Sequence, residues 1–377
     1  MSKSYIKLGE LASYINGYAF KPKDRGSEGL PIIRIQDLTG SSNDKGFYKG
    51  TYPSKIEINN GDVLISWSAS LGVYVWNNGK ALLNQHIFKV VFDKGEIDKD
   101  YFVYAVQFSL HRMRQLTHGA TMKHVVKKDF ENVLIPYPSL KDQRKVAHVL
   151  DKLKESINKK MDELKKLDEL IKARFVEMFG DPVLNSQHYN LVKLSNLGTL
   201  ARGKSKHRPR NDPQLLGGPY PLIQTGEITN SDTFIKKFTN TYSELGLQQS
   251  KLWPKGTLCI TIAANIAQTA ILTFDACFPD SVVGFIPENS DITPLYLHYW
   301  FSFFQKIIDS QASQVAQKNI NLKVLSNLQV MLPPKNKQSE FASFVQQVDK
   351  SKFENIVYLN KTLSSKILSQ LGDAIRD

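Results

Sequence analysis

The sequence predicts an α+β fold in which one mixed α/β domain occurs twice, and three observations carry that prediction. Residues 61–164 align with residues 256–359 at a constant offset of 195 and without a gap. A long stretch without proline or glycine closes each copy. The composition, with 41% hydrophobic residues, is that of a folded chain. We therefore expect a pseudo-two-fold internal repeat: two similar domains separated by two long helices that form an antiparallel coiled coil.

The repeat is a whole domain followed by a helix. Matched pairs include Gly61 with Gly256, Tyr101 with Tyr296, and Gln143 with Gln338. Each copy is far longer than the repeat of about 20–50 residues that builds solenoids. A chain of 377 residues also exceeds the usual size of one core. The predicted order is a first domain over 1–140, a central helix over 141–180, a second domain over 181–335 and a C-terminal helix over 336–377.

Short apolar runs rich in β-branched and aromatic residues predict the strands of each domain. In the first domain the strands are Leu30–Ile35, Asp62–Ser66, His86–Phe92 and Ile135–Pro138, with helices over Tyr101–Gln115 and within VVKKDFENV. In the second domain the strands are Pro221–Ile223, Thr257–Ile262 and Val282–Ile286, with a helix over Pro294–Ile308. The common order indicates one fold used twice.

The first long helix is predicted over Lys141–Phe179, where apolar residues recur every three or four positions. Ser139 and Asp142 can cap its start, and Gly180 can end it. Charge pairs four residues apart, such as Asp168 with Lys172, are expected on its surface.

The second long helix, predicted over Gln338–Leu371, is less regular, because Lys352 stands where the apolar stripe needs a hydrophobic residue. Neither stripe can bury its face alone, so we expect the two helices to pack against each other. Packing of each helix on its own domain or on a partner subunit is the alternative.

The charge balance indicates the kind of partner. The 49 Lys and Arg against 36 Asp and Glu give +13, which favours nucleic acid first and an acidic membrane surface second. Cys259 and Cys277 form neither a disulfide framework nor a metal-ligand pattern. We find no secretory segment and no apolar run of about 18 residues, so we expect a cytoplasmic protein without a membrane partner.

Several motifs, duplicated in order with a long helix after each set, carry a resemblance. The first set is KLGELASYINGYAFK, GLPIIRIQDL, NNGDVLIS, LLNQHIFKV, HGATMKHVVKKDFENVLIPYPSLKDQRKVAHVLDKL and ARFVEMFGDPV. The second set is GPYPLIQTGEI, PKGTLCITIA, FPDSVVGFIP and KNINLKVLSNLQVMLPP. Over essentially the whole chain, these motifs resemble the DNA-specificity subunit of a Type I restriction-modification system.

The resemblance implies two target-recognition domains, each reading one half of a split, asymmetric site in double-stranded DNA. It also implies that the two helices set the gap between the half-sites and dock two methyltransferase subunits, to which restriction/translocase subunits join. This chain departs from the family pattern at Asp142-Gln143 and Lys337-Gln338, where a Glu-Gln pair is usual. Its second helix is also poorer in leucine.

Cations and amides that suit phosphates and base edges occur in equivalent regions of both domains. In the first domain the candidate DNA-binding residues are Lys21, Lys23, Arg25, Arg34, Gln36, Gln85 and His86. In the second domain they are Lys204, Lys206, His207, Arg208, Arg210 and Gln224. A solvated basic loop and structural hydrogen bonds, notably for His86, are the alternatives to groove contact.

Lys123 and Lys318 occupy equivalent positions just before a predicted short helix. A cation beside free backbone N–H groups favours an anion, so we expect a phosphate contact shared by both domains.

Signatures of catalysis are missing from the sequence. It contains no glycine-rich loop for S-adenosylmethionine, no Asn/Asp-Pro-Pro-aromatic motif and no Walker loop. We therefore expect a non-catalytic subunit without a cofactor or a metal. The alternatives are a specificity subunit of a modification-only system, a stand-alone DNA-modifying enzyme and a coiled-coil scaffold for other proteins.

Overall fold

The computed structural model describes residues 4–41, 44–68, 70–113, 126–207, 209, 212–263, 266–304, 307 and 320–362. The chain forms two compact units. Of the described residues, those up to Lys159 and those from Tyr358 onward form the first unit, and those from Lys160 to Val357 form the second unit.

The described residues of the first unit form three small sheets. Its elements are β1 (Tyr5–Lys7), α1 (Leu8–Leu11), β2 (Ser13–Asn16), β3 (Leu30–Ile33), α2 (Ile35–Thr39), β4 (Gly46–Tyr48), β5 (Glu57–Ile58), β6 (Val63–Ser66), β7 (Gly72–Val75), β8 (Ala81–Leu83), β9 (Ile87–Val91), α3 (Lys99–Met113), α4 (Lys127–Glu131), β10 (Leu134–Pro136) and the first half of α5 (Leu140–Phe179). The strand orders are β2-β9-β6-β7, β4-β3-β8-β5 and β1-β10. The rings of Tyr14, Phe88 and Phe130 pack together in its core.

The second unit has the same plan. After the second half of α5 come β11 (Leu191–Lys193), β12 (Gly198–Arg202), β13 (Leu216–Leu222), α6 (Thr225–Thr229), β14 (Phe234–Ile235), β15 (Asn240–Tyr242), α7 (Glu244–Gln248), β16 (Leu252–Trp253), β17 (Leu258–Thr261), β18 (Thr269–Leu272), β19 (Ala276–Cys277), β20 (Val282–Pro287), α8 (Pro294–Phe301), α9 (Leu322–Ser326), β21 (Gln329–Met331) and α10 (Lys335–Thr362). The strand orders are β12-β20-β17-β18-β14, β15-β13-β19-β16 and β11-β21.

The internal repeat predicted from the sequence is confirmed. Strand β6 corresponds to β17, β9 to β20, α4 to α9 and β10 to β21. The two long helices begin at Leu140 and Lys335, which are 195 positions apart. The expected strand Leu30–Ile35 is too long, because β3 ends at Ile33 and Arg34 already caps α2. The backbone N–H of Arg34 donates to Oδ2 of Asp37 at 2.9 Å, which turns the chain into a helix there.

The ends of α5 follow the sequence signals. Oγ of Ser139 donates to Oδ2 of Asp142 at 2.7 Å, and the Asp142 N–H donates back to that hydroxyl at 3.3 Å. At the other end Gly180 adopts φ +77°, and its N–H donates to the Val176 carbonyl at 2.8 Å. A left-handed residue of this kind is tolerated best as glycine, so the helix ends here.

Within the second unit, α5 and α10 lie antiparallel. Nζ of Lys352 binds the carboxylate of Asp168, and Nη2 of Arg174 binds Oε1 of Glu340 at 3.1 Å. The contact position moves toward the start of α10 as it moves toward the end of α5. Asp168 was expected to pair with Lys172 on its own helix, but its carboxylate binds Lys352 across the helix pair instead. This ion pair accounts for the lysine that interrupts the apolar stripe.

The last turns of α5 also belong to the core of the second unit. The Phe175 ring lies 5.3 Å from that of Tyr296 and 5.5 Å from that of Phe341. Phe179 lies 5.0 Å from Tyr296. Phe175 and Phe179 are fully buried. In this unit the helix therefore packs both on the other helix and on the globular domain.

Replacing Asp168 by asparagine tests the ion pair. The Lys352 side chain is 8% exposed, and its other carboxylate, on Asp349, is 3.9 Å away. We expect Asp168→Asn to lower the free energy of unfolding by about 1–2 kcal/mol, because a buried ammonium loses its nearer partner. Lys352→Met removes the buried charge itself and should cost less. Urea denaturation followed by circular dichroism measures both, with the exposed Asp162→Asn as control. An equal effect of Asp162→Asn would contradict the assignment.

Mild acid tests the histidine of α8. Burial, aided by Lys352, lowers the pKa of His298 from 6.5 to about 4, although Thr269 bonds to its ring. Between pH 4 and pH 6.5 the histidine of the unfolded chain binds a proton that His298 of the folded chain does not bind. The stability of the folded state that depends on a neutral His298 is therefore complete above pH 6.5 and is lost as the pH falls toward 4. We expect unfolding at pH 5 to require about 2 kcal/mol less than at pH 7.5. Urea midpoints at both pH values should show this for the unaltered chain and for the control His148→Gln. An undiminished fall in His298→Gln would rule His298 out as the source.

Candidate nucleic-acid interface

In the first unit, the cations after β2 lie on and beside a single 3₁₀ turn, Pro22–Asp24. The Lys21 backbone N–H donates to Oδ2 of Asp24 at 2.7 Å, which caps this turn. The side chains of Lys21 and Lys23 are exposed. The turn therefore presents two ammonium groups to solvent.

Arg25 and Arg34 are brought together by one acidic residue. Nη2 of Arg25 lies 3.0 Å from Oδ2 of Asp44, and Nη1 of Arg34 lies 3.5 Å from the same oxygen. Arg34 also donates to the Asp44 carbonyl, and its Nε lies 3.1 Å from Asp37. Hydrogen bonds and charge from Arg25, with a smaller contribution from Arg34, hold the pKa of Asp44 below its usual value. Both guanidinium groups are therefore already bound to carboxylates, whereas Gln36, on α2, is exposed.

Gln85 and His86 lie in the turn before β9. The Gln85 backbone N–H donates to the Tyr18 carbonyl at 3.0 Å, which places Gln85 beside the segment that leads to Lys21. Nε2 of Gln85 and Nε2 of His86 are 3.2 Å apart. The His86 ring packs at 5.5 Å from that of Trp67, so this histidine also has a structural contact.

In the second unit, the basic loop after β12 is held at its base by the end of α7. Oε1 of Gln249 accepts from the backbone N–H groups of Lys206 at 2.7 Å and His207 at 3.2 Å. The Ser250 hydroxyl donates to the Lys204 carbonyl at 2.9 Å. Lys204, Lys206 and His207 are exposed. The protein thus fixes the backbone of the loop and leaves its cationic side chains in solvent.

Two further contacts shape this loop. Nε2 of His207 lies 3.0 Å from Oδ2 of Asp212, and the Gln214 N–H and His207 lower the pKa of Asp212. The Gly203 N–H donates to the Val282 carbonyl at 2.9 Å. A side chain at Gly203 would meet the Phe278 carbonyl at 2.2 Å, so only glycine fits this close approach.

Gln224 occupies the position in the second unit that Arg34 occupies in the first. It caps α6, and its N–H donates to Oε2 of Glu227 at 3.1 Å, as Arg34 does to Asp37. Gln224 is exposed and lines an open groove of about 810 Å³ that also includes Lys352 of α10. None of the described residues of the basic loop lines this groove.

Four of the expected DNA-binding residues lie outside the described residues. They are Lys123, Arg208, Arg210 and Lys318.

Sequence reasoning missed the residues that hold the candidate side chains. Asp44 and Gln249 are far along the chain from the cations that they contact, so no local motif marks them. Asp212 ends the motif RGKSKHRPRND, and an Asp beside prolines is a usable sign of a capped turn. Within the described part of the chain, no group of three His, Cys, Asp or Glu side chains could bind a metal. No described helix is long and apolar enough to span a bilayer.

Two copies of one α/β domain, each followed by a long helix, define an internally duplicated two-domain protein. The family model of the Type I restriction modification DNA specificity domain matches twice, over residues 3–167 and 187–364. The chain therefore belongs to the Type I restriction-modification DNA-specificity family and contains two of its domains.

Two specificity subunits match 91% of this chain. The EcoBI specificity subunit of Escherichia coli is 24% identical over 374 residues, covering 91% of this chain and 78% of that protein. The MjaVIII specificity subunit of Methanocaldococcus jannaschii is 24% identical over 379 residues, covering 91% and 85%.

Solved structures show the same fold. The S subunit of a Type I restriction-modification system from M. genitalium superposes with a TM-score of 0.51 at 15% identity, covering 100% of this chain and 97% of that one. A chain from a study of complex assembly and conformational transition of the type I R-M system gives 0.60 at 17% identity, covering 99% and 97%.

Replacing Gln249 by alanine tests the bracing of the basic loop. The Lys206 and His207 amides lose the oxygen that they share, so we expect their hydrogen–deuterium exchange to quicken by about tenfold, the equivalent of one hydrogen bond. Mass spectrometry of peptides that cover residues 203–207 measures this. Gln248→Ala, one position earlier on α7, is the matched control. Unchanged exchange in Gln249→Ala would show that the loop is held by other contacts.

Proposed function

We propose that this chain is the non-catalytic DNA-specificity subunit of a Type I restriction-modification complex. Each domain reads one half of a bipartite, asymmetric site in double-stranded DNA. Family membership, the duplicated domain and the excess of 49 Lys and Arg over 36 Asp and Glu support this function.

One observation carries the proposal: the two domains offer different chemistry on the same local backbone. Arg34 and Gln224 begin matched five-residue helices, α2 and α6, and each bonds to an acidic residue three positions later. Arginine suits the acceptors of guanine, whereas glutamine suits the donor and acceptor of adenine. Gln36 likewise has Gly226 as its counterpart. Domains that agree in fold but differ at such positions are suited to two unlike half-sites.

Phosphate contacts would hold the domains in register on the duplex. The exposed ammonium groups of Lys21, Lys23, Lys204 and Lys206 are suited to that role. For Arg25 and Arg34, binding to DNA means exchanging the Asp44 carboxylate for a phosphate or a base. His207 can make the same exchange with Asp212. Gln85 and His86 complete the candidate surface of the first domain, and Arg208, Arg210, Lys123 and Lys318 remain proposals.

The long helices α5 and α10 have a separate role in the proposed function. We assign them the tasks of setting the spacer between half-sites and docking two methyltransferase subunits, with restriction/translocase subunits joining through that core. The recognition domains are then residues 1–140 and 181–335, and the spacer helices are 141–180 and 336–377. The complex acts on DNA in the cytoplasm, and this subunit needs no cofactor of its own.

Exchange of one unit tests modular reading. We expect replacement of residues 160–357 by the equivalent part of a relative to change one half-site and leave the other half-site intact. The exchanged piece keeps Phe175 and Phe179 with the core that they fill. Methylome sequencing of a host that carries the chimera with a matching methyltransferase reads both half-sites and the spacer.

The reciprocal chimera, with residues 5–136 exchanged, is the control and should alter the other half-site. A change of both half-sites in either chimera, or a single uninterrupted target for the unaltered chain, would refute the proposed function.

A further inference from the structure

Each long helix is fastened to its own domain by a buried glutamine, the fourth residue of the helix. Gln143 and Gln338 are each 1% exposed. In the first unit, Nε2 of Gln143 donates to the Pro138 carbonyl at 2.9 Å, and Oε1 accepts from the Asp98 backbone N–H at 2.9 Å. The side chain thus joins the first turn of α5 to the residue before α3.

The second unit repeats these bonds at the equivalent residues. Nε2 of Gln338 donates to the carbonyls of Pro333 at 3.0 Å and Asp291 at 2.7 Å. Oε1 accepts from the Thr293 N–H at 3.0 Å and from its hydroxyl at 3.2 Å. Asp98 and Thr293 differ in side chain, yet both bind the glutamine through the backbone N–H. The duplication therefore retains the amide and its bonds while its neighbours vary.

The residues that bind the two glutamines also cap helices of their own domains. Asp98 caps α3 by accepting from the Tyr101 N–H at 3.0 Å, and Thr293 caps α8 by accepting from the Tyr296 N–H at 3.2 Å. Each glutamine therefore links three segments of its unit: the residues that follow the last strand (β10 or β21), the long helix, and the start of α3 or α8. Hydrogen bonds are directional and strengthen in a dry interior, whereas apolar burial has no preferred direction. The bonds thus fix the angle at which the helix leaves its domain.

A long helix magnifies any error in that angle. Helix α5 has 40 residues and is about 60 Å long, so a tilt of about 5° at its base moves the far end by about 5 Å. One base-pair step of DNA is about 3.4 Å. A tilt of a few degrees at the glutamine therefore displaces the far end of the helix by the length of about one or two base pairs.

We propose that Gln143 and Gln338 are the positioning residues that make the complex select one spacer length. This inference rests on the proposed function, in which the helices set the distance between half-sites. Neither glutamine contacts DNA; each acts through the direction of its helix. A role in stability alone predicts a less stable chain that selects its spacer as sharply as before.

The test uses the full chain in its complex with the methyltransferase subunits. Methylation rates are measured on duplexes that carry both half-sites with the native spacer or with one base pair more or less. For Gln143→Met and Gln338→Met, which keep the volume and lose the bonds, we expect the preference for the native spacer to fall about tenfold, as for one lost hydrogen bond. The half-site sequences should not change. Gln143→Asn and Gln338→Asn, whose amides are too short to span both partners, provide milder variants that should act in the same direction.

Two variants that lose a buried hydroxyl away from the helix base serve as controls. Ser109→Ala removes a bond to the Ala105 carbonyl within α3, and Thr257→Val removes a bond to the Pro254 carbonyl. Both should keep the spacer preference. The inference would be overturned if the glutamine variants preferred the native spacer as strongly as the unaltered chain does, or if the controls lost that preference to the same extent as the glutamine variants. Either result would leave the proposed function intact. Methylation by the unaltered complex that is independent of the spacer would overturn both.

Discussion

The burial of Phe175 and Phe179 at the end of α5 is the contact on which the second unit depends. Both rings are fully enclosed, and they contact Tyr296 of α8 and Phe341 of α10. Enclosing a side chain of this size stabilises a fold by about 1.5–3 kcal/mol. The helix end is therefore an integral part of the domain that follows it rather than a linker. Helix α10 covers the same aromatic cluster through Phe341, and its ion pairs with α5 set its antiparallel direction.

Much of the architecture could be predicted from the sequence because duplication leaves a constant offset and long helices leave a periodic pattern. The start of α5 and its end at Gly180 followed from capping residues and glycine alone. The end of β3 could not be found in this way, since an apolar run does not reveal that Arg34 caps a helix. Lys352 looked like a defect in the stripe, because its partner Asp168 lies on another helix. Pairings between distant residues are set by packing, which local sequence does not record.

In the candidate interface, too, local features could be predicted from the sequence and contacts between distant residues could not. The sequence placed the lysines in polar segments, and the side chains of Lys21, Lys23, Lys204 and Lys206 are exposed. The acidic partners of the arginines did not follow from the sequence, and Asp44 changes the interpretation of Arg25 and Arg34 most. A guanidinium already bound to a carboxylate is held in place before any ligand arrives, but it gives up that bond when it binds elsewhere. The ion pair therefore holds each arginine in place, and in the proposed function it would compete with DNA for the guanidinium group.

The strand that opens each domain pairs with the strand that closes it. Tyr5 lies opposite Pro136 in one domain, and Leu191 lies opposite Met331 in the other. The chain thus leaves each domain beside the point at which it entered, which is the arrangement that tolerates insertion and replacement of whole domains. An exchange at these paired strands replaces the residues between them and leaves the start of the long helix that follows in place. In the proposed function, where each domain reads one half-site, such exchanges would give as many specificities as there are ordered pairs of domains.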